Sequence, residues 1–196
     1  AILRCFGICI DDNTQLLQLL TEECAGGAFS VNPPSMPWLN ALRDIACGMR
    51  HVHDLDIVHR DIKRTNILST GSGLRIGDFD HAGMLVADDM FREPVGTLMY
   101  SAPEVLEGSS YGKPADVYSF AMLAYEILER KTLHYGLLAP GLPGTLTSNA
   151  FVEAVIERAL RPEFDLTLEV AEGADVLKGA RLLLQQCWAH SADDRP

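Results

Sequence analysis

The sequence predicts an α+β fold, with strands and helices segregated along the chain. Short apolar runs bounded by turn residues come first, at residues 2–10 and 16–20. Apolar residues at helical spacing dominate from residue 38 onwards. The sequence contains no internal repeat, and strands followed by helices are typical of segregated α+β domains.

The first elements are read from apolar spacing and turn residues. Residues 2–10 and 16–20 predict two strands joined by a tight turn at residues 11–14. Two glycines and two prolines in residues 24–35 predict a linker or hinge. Apolar side chains recur every three or four positions over residues 38–52, which predicts an amphipathic helix.

The rest of the chain alternates between short strands, polar loops and helices. Residues 78–104 have little periodicity, and long ordered loops of this kind tend to be functional. Residues 115–129 are apolar on nearly all sides, which predicts a buried helix. The remaining predicted elements are strand-like runs at residues 57–58, 67–68 and 74–76, a Gly/Pro-rich exposed loop at residues 139–148, and helices at residues 151–160 and 174–188.

Composition limits the classes of partner. The 196 residues, of which 47% are hydrophobic, suit one compact domain with a real core. The net charge of -11 disfavours nucleic acid as a partner, because phosphate backbones repel an acidic surface. No stretch approaches the roughly 20 apolar residues of a membrane span.

The cysteine pattern predicts a reducing compartment. The five cysteines are odd in number and irregularly spaced, and no C-x-x-C pair occurs. This pattern suits neither a disulfide framework nor a zinc site. A cytoplasmic location is therefore expected.

The strongest chemical signal is the stretch HRDIKRTNIL at residues 59–68. Phosphoryl transfer needs a carboxylate that orients the attacking hydroxyl and accepts its proton, oxygen ligands for Mg²⁺, and positive charge on the transferred group. Asp61 offers the carboxylate, Lys63 the charge and Asn66 an amide oxygen for metal. The combination resembles the catalytic loop of eukaryotic protein kinases.

The next motif, Asp-Phe-Asp at residues 78–80, resembles the D-F-G motif of the same family. The resemblance implies that Asp78 chelates Mg²⁺ and that Phe79 packs into the core. Asp80 replaces the glycine, whose backbone angles a Cβ penalises, although Asp tolerates positive φ better than most residues. Its carboxylate also adds negative charge close to the expected ATP site.

Two later motifs extend the resemblance. The stretch GTLMYSAPE at residues 96–104 resembles the end of a kinase activation segment, and the stretch DVYSF, which begins at Asp116, resembles D-V-W-S-F. In the family, the Glu of A-P-E forms a buried ion pair with a late Arg, which implies a pair between Glu104 and Arg195. Asp116 is expected to brace the catalytic-loop backbone.

The adenine-binding side is implied only by the same resemblance. The stretch LLTEECAGG at residues 19–27 looks like the last small-lobe strand and the hinge. Thr21 would be the gatekeeper, the backbones of Glu22 and Cys24 would hydrogen-bond adenine, and Leu68 would pack below it.

The resemblance implies a protein-kinase-like fold, mostly the helical large lobe with a remnant of the small-lobe sheet and the hinge. The expected divisions of the partial domain at residues 1–196 are a small-lobe remnant at 1–23, a hinge at 24–35 and a large lobe at 36–196. The family's Gly-rich loop, strand Lys and Glu-bearing helix are absent from these residues. The chain is therefore expected to be a fragment cut at both ends, which alone phosphorylates poorly or not at all.

The implied activity is ATP- and Mg²⁺-dependent transfer of the γ-phosphoryl group to Ser/Thr hydroxyls of protein substrates in signalling. Lys63 favours Ser/Thr over Tyr specificity, as does Thr97, whose hydroxyl could bridge Asp61 and Lys63. The hinge, the Cys187–Trp188 pair and residues 161–164 resemble the tyrosine-kinase-like branch of Ser/Thr kinases.

Two other functions stay open. A pseudokinase scaffold would account for Asp80 and the absent lobe, but not for the presence of Asp61, Lys63, Asn66 and Asp78. A small-molecule phosphotransferase, such as an antibiotic or choline kinase, shares H-x-D-x-x-x-x-N but lacks the A-P-E element, the D-V-x-S-F helix and the paired Arg.

Regulation by phosphorylation of the activation segment is not expected. In the family, an Arg at the place of Arg60 often docks a phosphate on that segment, but residues 81–96 contain no Ser, Thr or Tyr. Three acids occur instead, Asp88, Asp89 and Glu93. Two arrangements stay open: one of these acids pairs with Arg60 and holds the loop ordered, or all three are solvated and Arg60 bonds only to backbone.

Overall fold

The computed structural model describes residues 2–11, 14, 16–31, 36–86, 90–133, 147–165 and 174–196. Within these residues the chain forms three two-stranded antiparallel sheets and five α-helices. This mixed architecture confirms the α+β prediction. Most of the hydrophobic core lies among the helices, and none of the described helices is long and apolar enough to cross a membrane.

The chain begins with an exposed hairpin. Strands β1 (Cys5–Ile10) and β2 (Leu17–Thr21) pair antiparallel, with Ile10 opposite Leu17, as the apolar runs predicted. Many of the large apolar side chains of this hairpin are exposed, Phe6 by 65% and Leu19 by 62%. The strand prediction is therefore confirmed, but the hairpin contributes little to the core.

The predicted linker is fixed to the body of the domain. Its backbone pairs with β4 (Ile67–Thr70): Phe29 N donates to Ile67 O at 2.7 Å, and Ser69 N donates to Gly27 O at 2.8 Å. Phe29 is 1% exposed. Residues 32–35 of the predicted linker lie outside the described residues.

Two long helices form the centre of the core. Helix α1 (Trp38–Asp54) buries the apolar face that its spacing predicted. Helix α3 (Lys113–Glu129) begins two residues before its predicted start, with Pro in its first turn, where the missing N–H costs no hydrogen bond. It is buried nearly all round, as predicted, and its buried residues include Asp116 and Glu126.

Four short strands surround the polar loops. Strand β3 (Ile57–Val58) pairs with β6 (Gly83–Met84), and β4 pairs with β5 (Gly73–Ile76). Strand β6 lies within residues 78–104, which the sequence predicts as loop. Two residues give no periodicity, so only the partner strand reveals this pairing.

Helix α2 (Pro103–Leu106) was not predicted, and it begins within residues 78–104, which the sequence predicts as loop. Helices α4 (Ser148–Glu157) and α5 (Ala174–Cys187) follow the prediction with shifted bounds. Helix α4 begins three residues before its predicted start, because the Thr147 hydroxyl accepts a hydrogen bond from Ala150 N at 3.3 Å and caps it. Residues 139–146 of the predicted exposed loop lie outside the described residues.

Candidate active site

Asp116 of α3 holds the backbone of the catalytic loop (residues 59–66) through hydrogen bonds. The Asp116 carboxylate accepts hydrogen bonds from His59 N and Arg60 N, both at 2.8 Å. His53 Nε2, on α1, lies 2.9 Å from the same carboxylate. Asp116 is fully buried, so one side chain fixes the two peptide N–H groups that precede Asp61. This is the bracing that the resemblance implied.

Asp61 lies at the centre of a polar cluster. Lys63 Nζ is 2.6 Å from Asp61 Oδ2, and Thr97 Oγ1 donates to Asp61 Oδ1 at 2.8 Å. Lys63 Nζ also donates to Thr97 Oγ1 at 3.0 Å, which closes a triangle across 34 residues of sequence. Asn66 Nδ2 donates to Asp61 Oδ2 at 3.1 Å and to Asp61 O at 2.9 Å. The structure therefore brings these four predicted residues together.

The protonation state of Asp61 follows from these neighbours. Burial acts to raise the pKa of Asp61, but the hydrogen bonds from Lys63, Thr97 and Asn66, with the Lys63 charge, outweigh it and lower the pKa. A lowered pKa keeps the carboxylate charged at neutral pH. It can then accept a hydrogen bond from an incoming hydroxyl and orient it.

Backbone hydrogen bonds bring Asp78 next to the catalytic loop. Gly77 N donates to Asn66 O at 2.9 Å, and His59 Nε2 lies 3.0 Å from Gly77 O. The Phe79 ring packs against the His59 ring, with centroids 4.7 Å apart. Both backbone polar groups of Gly77 are therefore hydrogen-bonded, and Asp78 is the next residue along the chain. The Asp78 side chain is exposed.

In the Asp-Phe-Asp motif at residues 78–80, the residue with positive φ is not the one in the glycine position. Asp78 has φ +60°, whereas Asp80 does not have a positive φ. The expected backbone penalty of an Asp in the glycine position is therefore absent, because the left-handed residue lies two positions earlier. Asp tolerates this conformation better than most residues. What remains unusual about Asp80 is its charge.

The side-chain oxygens of Asn66 and Asp78 are of the type that a nucleotide-bound Mg²⁺ takes from protein. Asn66 uses its amide nitrogen on Asp61, and its Oδ1 has only a long contact of 3.5 Å from Thr65 Oγ1. The exposed Asp78 carboxylate accepts no hydrogen bond in the described part of the chain. Among the described residues, no group of three or more His, Cys, Asp or Glu could hold a metal by itself. Mg²⁺ commonly takes one or two protein oxygens and completes its shell with phosphates and water.

The predicted adenine-side residues lie where the hairpin joins the body. Thr21 ends β2 and is partly buried. Glu22 N donates to Arg4 O at 2.9 Å, and Glu22 O lies 3.9 Å from Cys24 Sγ. Cys24 O accepts from Gly27 N at 2.8 Å. Leu68, on β4, packs against Gly77, where an added Cβ would lie 3.1 Å from Leu68 Cδ1.

Sequence reasoning missed the role of the Glu22 side chain. Its carboxylate accepts hydrogen bonds from Arg4 N at 2.9 Å and from Arg75 Nε at 3.1 Å. The bond from the Arg4 backbone is the main cause that lowers the pKa of Glu22. Glu22 therefore ties the first strand to β5. No local sequence signal marks this contact, because the partners are 18 and 53 residues away.

The end of the activation segment is fixed by the expected ion pair. Arg195 binds Glu104 through two nitrogens, at 2.6 and 2.8 Å. Arg195 also donates to Ala189 O, Pro114 O and His190 O, and its side chain is fully buried. The predicted pair between these two residues is confirmed.

A second buried contact at this end was missed. The Tyr100 hydroxyl donates to Glu126 Oε2 at 2.7 Å, and Leu133 N donates to Glu126 Oε1 at 2.7 Å. Glu126 is fully buried, and this burial raises its pKa. The only available signal was an acidic residue within an otherwise apolar helix.

Of the three acids considered as partners for Arg60, the structure describes only Glu93, and Arg60 makes other contacts. Its Nε donates to His81 O, and its guanidinium carbon lies 4.4 Å from the centroid of the Phe91 ring. Within the described residues Glu93 forms no ion pair with Arg60. Asp88 and Asp89 lie outside the described residues. The backbone contact belongs to the second of the two arrangements stated above, and the aromatic contact was missed.

Comparisons with known proteins identify the family of this chain. A family model described as Protein kinase domain matches residues 2–196. The dual specificity protein kinase shkE of Dictyostelium discoideum is 26% identical over 205 residues, covering 100% of this chain and 27% of the relative. The serine/threonine-protein kinase mos of Xenopus laevis is 32% identical over 166 residues, covering 79% of this chain and 42% of the relative.

The chain therefore belongs to the protein kinase family. The serine/threonine-protein kinase PSK2 of Saccharomyces cerevisiae is also similar, at 38% identity over 99 residues, covering 48% of this chain and 9% of the relative. The chain spans less than half the length of each of these relatives.

Proposed function

We propose that this domain transfers the γ-phosphoryl group of Mg²⁺-bound ATP to Ser/Thr hydroxyls of protein substrates. The observation that carries the proposal is the triangle formed by Asp61, Lys63 and Thr97. It places a charged carboxylate, an ammonium group and a hydroxyl within hydrogen-bond distance of one another. Phosphoryl transfer depends mainly on such positioning and on electrostatic stabilisation.

In this proposal the polar residues of the site have separate roles. Asp61 accepts the hydrogen bond of the substrate hydroxyl and then its proton. Lys63 offsets the negative charge that develops on the transferred group. Asn66 and Asp78 are the proposed Mg²⁺ ligands, and the metal would neutralise phosphate charge.

The adenine side of the proposed site lies at the base of the hairpin. Thr21 and Leu68 would border the base, and the Glu22 and Cys24 backbones would hydrogen-bond it. The pairing of the linker with β4 supports this placement, because it holds the segment at a fixed distance from the catalytic loop. Proposed domain divisions follow: a small-lobe part at residues 1–23, the hinge at 24–35 and the large lobe at 36–196.

Ser/Thr specificity is the finer part of the proposal. The hydrogen bond between Lys63 and Thr97 supports it, because it is the contact that favoured Ser/Thr acceptors in the sequence. The names of two relatives include dual specificity, so Tyr as an additional acceptor is the second candidate. A cytoplasmic location stays a prediction from the cysteine pattern.

The test is phosphate transfer from radiolabelled ATP by the full-length protein, followed by identification of the labelled amino acids. We expect Mg²⁺-dependent labelling of Ser and Thr. Asp61→Asn should lose this labelling, whereas Asp54→Asn, at the exposed end of α1, is its matched control and should label as wild type does. Labelled Tyr would establish dual specificity instead.

A scaffold without catalysis is the competing function. Asp80 supports it through its charge, which lies two residues from the proposed Mg²⁺ ligand Asp78. Binding of Mg²⁺ and ATP without any transfer to protein would favour the scaffold and contradict catalysis. Asp80→Gly would then test the cause, because it removes the charge and restores the residue that is usual in the family.

A further inference from the structure

His81, Gly83 and Phe91 lie against the partly buried Arg60 side chain. The guanidinium group lies over the Phe91 ring at 4.4 Å, and Arg60 Nε donates to His81 O. A Cβ added at Gly83 would lie 3.5 Å from Arg60 Nη2, and one added at Gly96 would overlap Arg60 O. Arg60 directly precedes Asp61, so these contacts join the activation segment to the proposed catalytic residue.

The Phe91 ring is itself held in place. Phe91 N donates to Tyr111 O at 3.0 Å, and Tyr111 N donates to Phe91 O at 2.8 Å. The two rings have centroids 5.8 Å apart, and the Tyr111 hydroxyl donates to Glu93 O at 2.6 Å. Tyr111 is 2% exposed and lies just before α3. The ring under Arg60 is therefore anchored through Tyr111 to the end of the helix that carries Asp116.

Close packing at two glycines keeps the ring and the arginine together. A Cβ at Gly83 would lie 2.5 Å from the Phe91 ring. Gly96 has φ +98°, a conformation that side chains rarely adopt, and its Cα faces the Arg60 carbonyl. Gly83 therefore lies close to the Arg60 guanidinium and Gly96 close to the Arg60 carbonyl, and neither position has room for a Cβ.

We propose that Phe91 is a positioning residue for Asp61: its ring binds the Arg60 guanidinium and keeps the described residues 81–86 and 90–96 in place without phosphorylation. This proposal rests on the proposed function. A cation over an aromatic face is attracted by the ring quadrupole, and Arg makes this contact most often. An aromatic ring is a constant feature of the chain, whereas a phosphate is removable. Residues 81–96 contain no hydroxyl that could carry a phosphate.

Filling of apolar space by Phe91 is the competing explanation. It predicts that any apolar side chain of similar size would serve. Phe91→Leu keeps an apolar side chain but removes the ring face, whereas Phe91→Tyr and Phe91→Trp keep a ring. Phe6→Leu, on the exposed hairpin, is the matched control for the exchange of Phe for Leu.

The experiment measures two properties of the full-length protein. The first is hydrogen exchange at the Phe91 and Tyr111 amides, which report the backbone pair and do not depend on catalysis. The second is steady-state kinetics with phosphatase-treated protein, giving kcat and the KM for ATP. Exchange judges the contact even if no transfer occurs, whereas a wild type without transfer contradicts the proposed function.

We expect Phe91→Leu to raise exchange at both amides by roughly five- to thirty-fold, the range of a partly desolvated cation–π contact. It should lower kcat and leave the KM for ATP unchanged. Phe91→Tyr and Phe91→Trp should restore both properties to within about twofold, and phosphatase treatment should not change wild-type kcat.

Arg60→Met tests the contact from the other side and decides the matter even if Phe91→Leu does not fold. It should raise exchange as much as Phe91→Leu does, and the double variant should add nothing further. Unchanged exchange in Arg60→Met would overturn the proposal. So would an additive double variant, a Phe91→Tyr variant as impaired as Phe91→Leu, or loss of activity after phosphatase treatment.

Discussion

The body of the domain, which contains helices α1 to α5, and the β1–β2 hairpin differ in the surroundings of their side chains. In the body, the buried charges of Asp116, Glu126 and Arg195 each have several hydrogen-bond partners. In the hairpin, apolar side chains such as Phe6 and Leu19 are exposed by more than 60%. Uncompensated buried charge is costly, whereas an exposed apolar side chain contributes little either way.

The two regions hold different parts of the proposed site. The residues proposed for phosphoryl transfer are fixed by the body: Asp61 through Asp116, and the activation segment through Arg195. Of the residues proposed for adenine, Leu68 lies on β4, whereas Thr21, Glu22 and Cys24 lie at the base of the hairpin, where the Glu22 carboxylate binds Arg4 N and Arg75. Changes in the body should therefore affect stability and rate, and changes on the exposed face of the hairpin should affect neither strongly.

The largest expected effect is loss of the ion pair at the end of the activation segment. Arg195→Ala should lower the free energy of unfolding by about 3–5 kcal/mol, because Glu104 would be left without its buried partner. Urea unfolding measures this. Arg158→Ala breaks an exposed pair with Glu153 and should cost at most about 1 kcal/mol. Equal losses in the two variants would contradict the contrast between buried and exposed regions.

The next effect is on rate. Asp116→Asn keeps the volume of the side chain but replaces one of the two oxygens that hold His59 N and Arg60 N. Misplacement of Asp61 by about 1 Å would lower kcat by about a hundredfold. Asp56→Asn, at an exposed acid, is the control and should retain the wild-type kcat. A wild-type kcat in Asp116→Asn would show that the bracing is not needed for catalysis.

A smaller effect is expected at Thr97, with a pH signature. Thr97→Val removes a hydrogen bond that lowers the pKa of Asp61, so the pKa should rise. Because Asp61 acts in its charged form, the acidic limb of the kcat/KM profile should move to higher pH. Loss of a hydrogen bond to a charged group should also lower kcat by roughly ten- to a hundredfold.

Thr97→Ser keeps the hydroxyl and is the matched control. Its acidic limb should coincide with that of the wild type. An unmoved limb in Thr97→Val would show that this hydroxyl does not influence the titration of Asp61.

The smallest effect is expected on the hairpin. Leu19→Gln should change the free energy of unfolding by less than about 0.5 kcal/mol, because this side chain is 62% exposed. Leu123→Ala, in the fully buried part of α3, should cost about 2–5 kcal/mol. A loss at Leu19 as large as that at Leu123 would mean that the hairpin face is covered in the full-length protein.

Local patterns predicted the elements and the polar cluster well. Helix α1 follows from its apolar spacing, the hairpin strands from apolar runs between turn residues, and α3 from a long stretch that is apolar on nearly all sides. The positions of Asp61, Lys63 and Asn66 are close in sequence, so their meeting needs only a tight loop. Thr97 is distant in sequence, and only the family resemblance predicted its contact.

Contacts across long separations were not visible in the sequence. Strand β6 has two residues, and it exists because β3 offers a partner. The ring contact between Arg60 and Phe91 spans 31 positions, and charge patterning pointed instead to acids. The position of positive φ at Asp78 depends on the peptide bonds fixed by Asn66 and His59, which no local motif specifies.

ATP binding and phosphoryl transfer should separate in the Asp61→Asn variant. The claim is that Asp61 acts on the substrate hydroxyl, whereas Asn66 and Asp78 hold the metal. Asp61→Asn should therefore bind Mg²⁺-ATP as the wild type does by calorimetry, yet lose transfer by about a hundredfold or more. Asp78→Asn should instead lose the Mg²⁺ dependence of ATP binding. Transfer by Asp61→Asn at the wild-type rate would contradict the account.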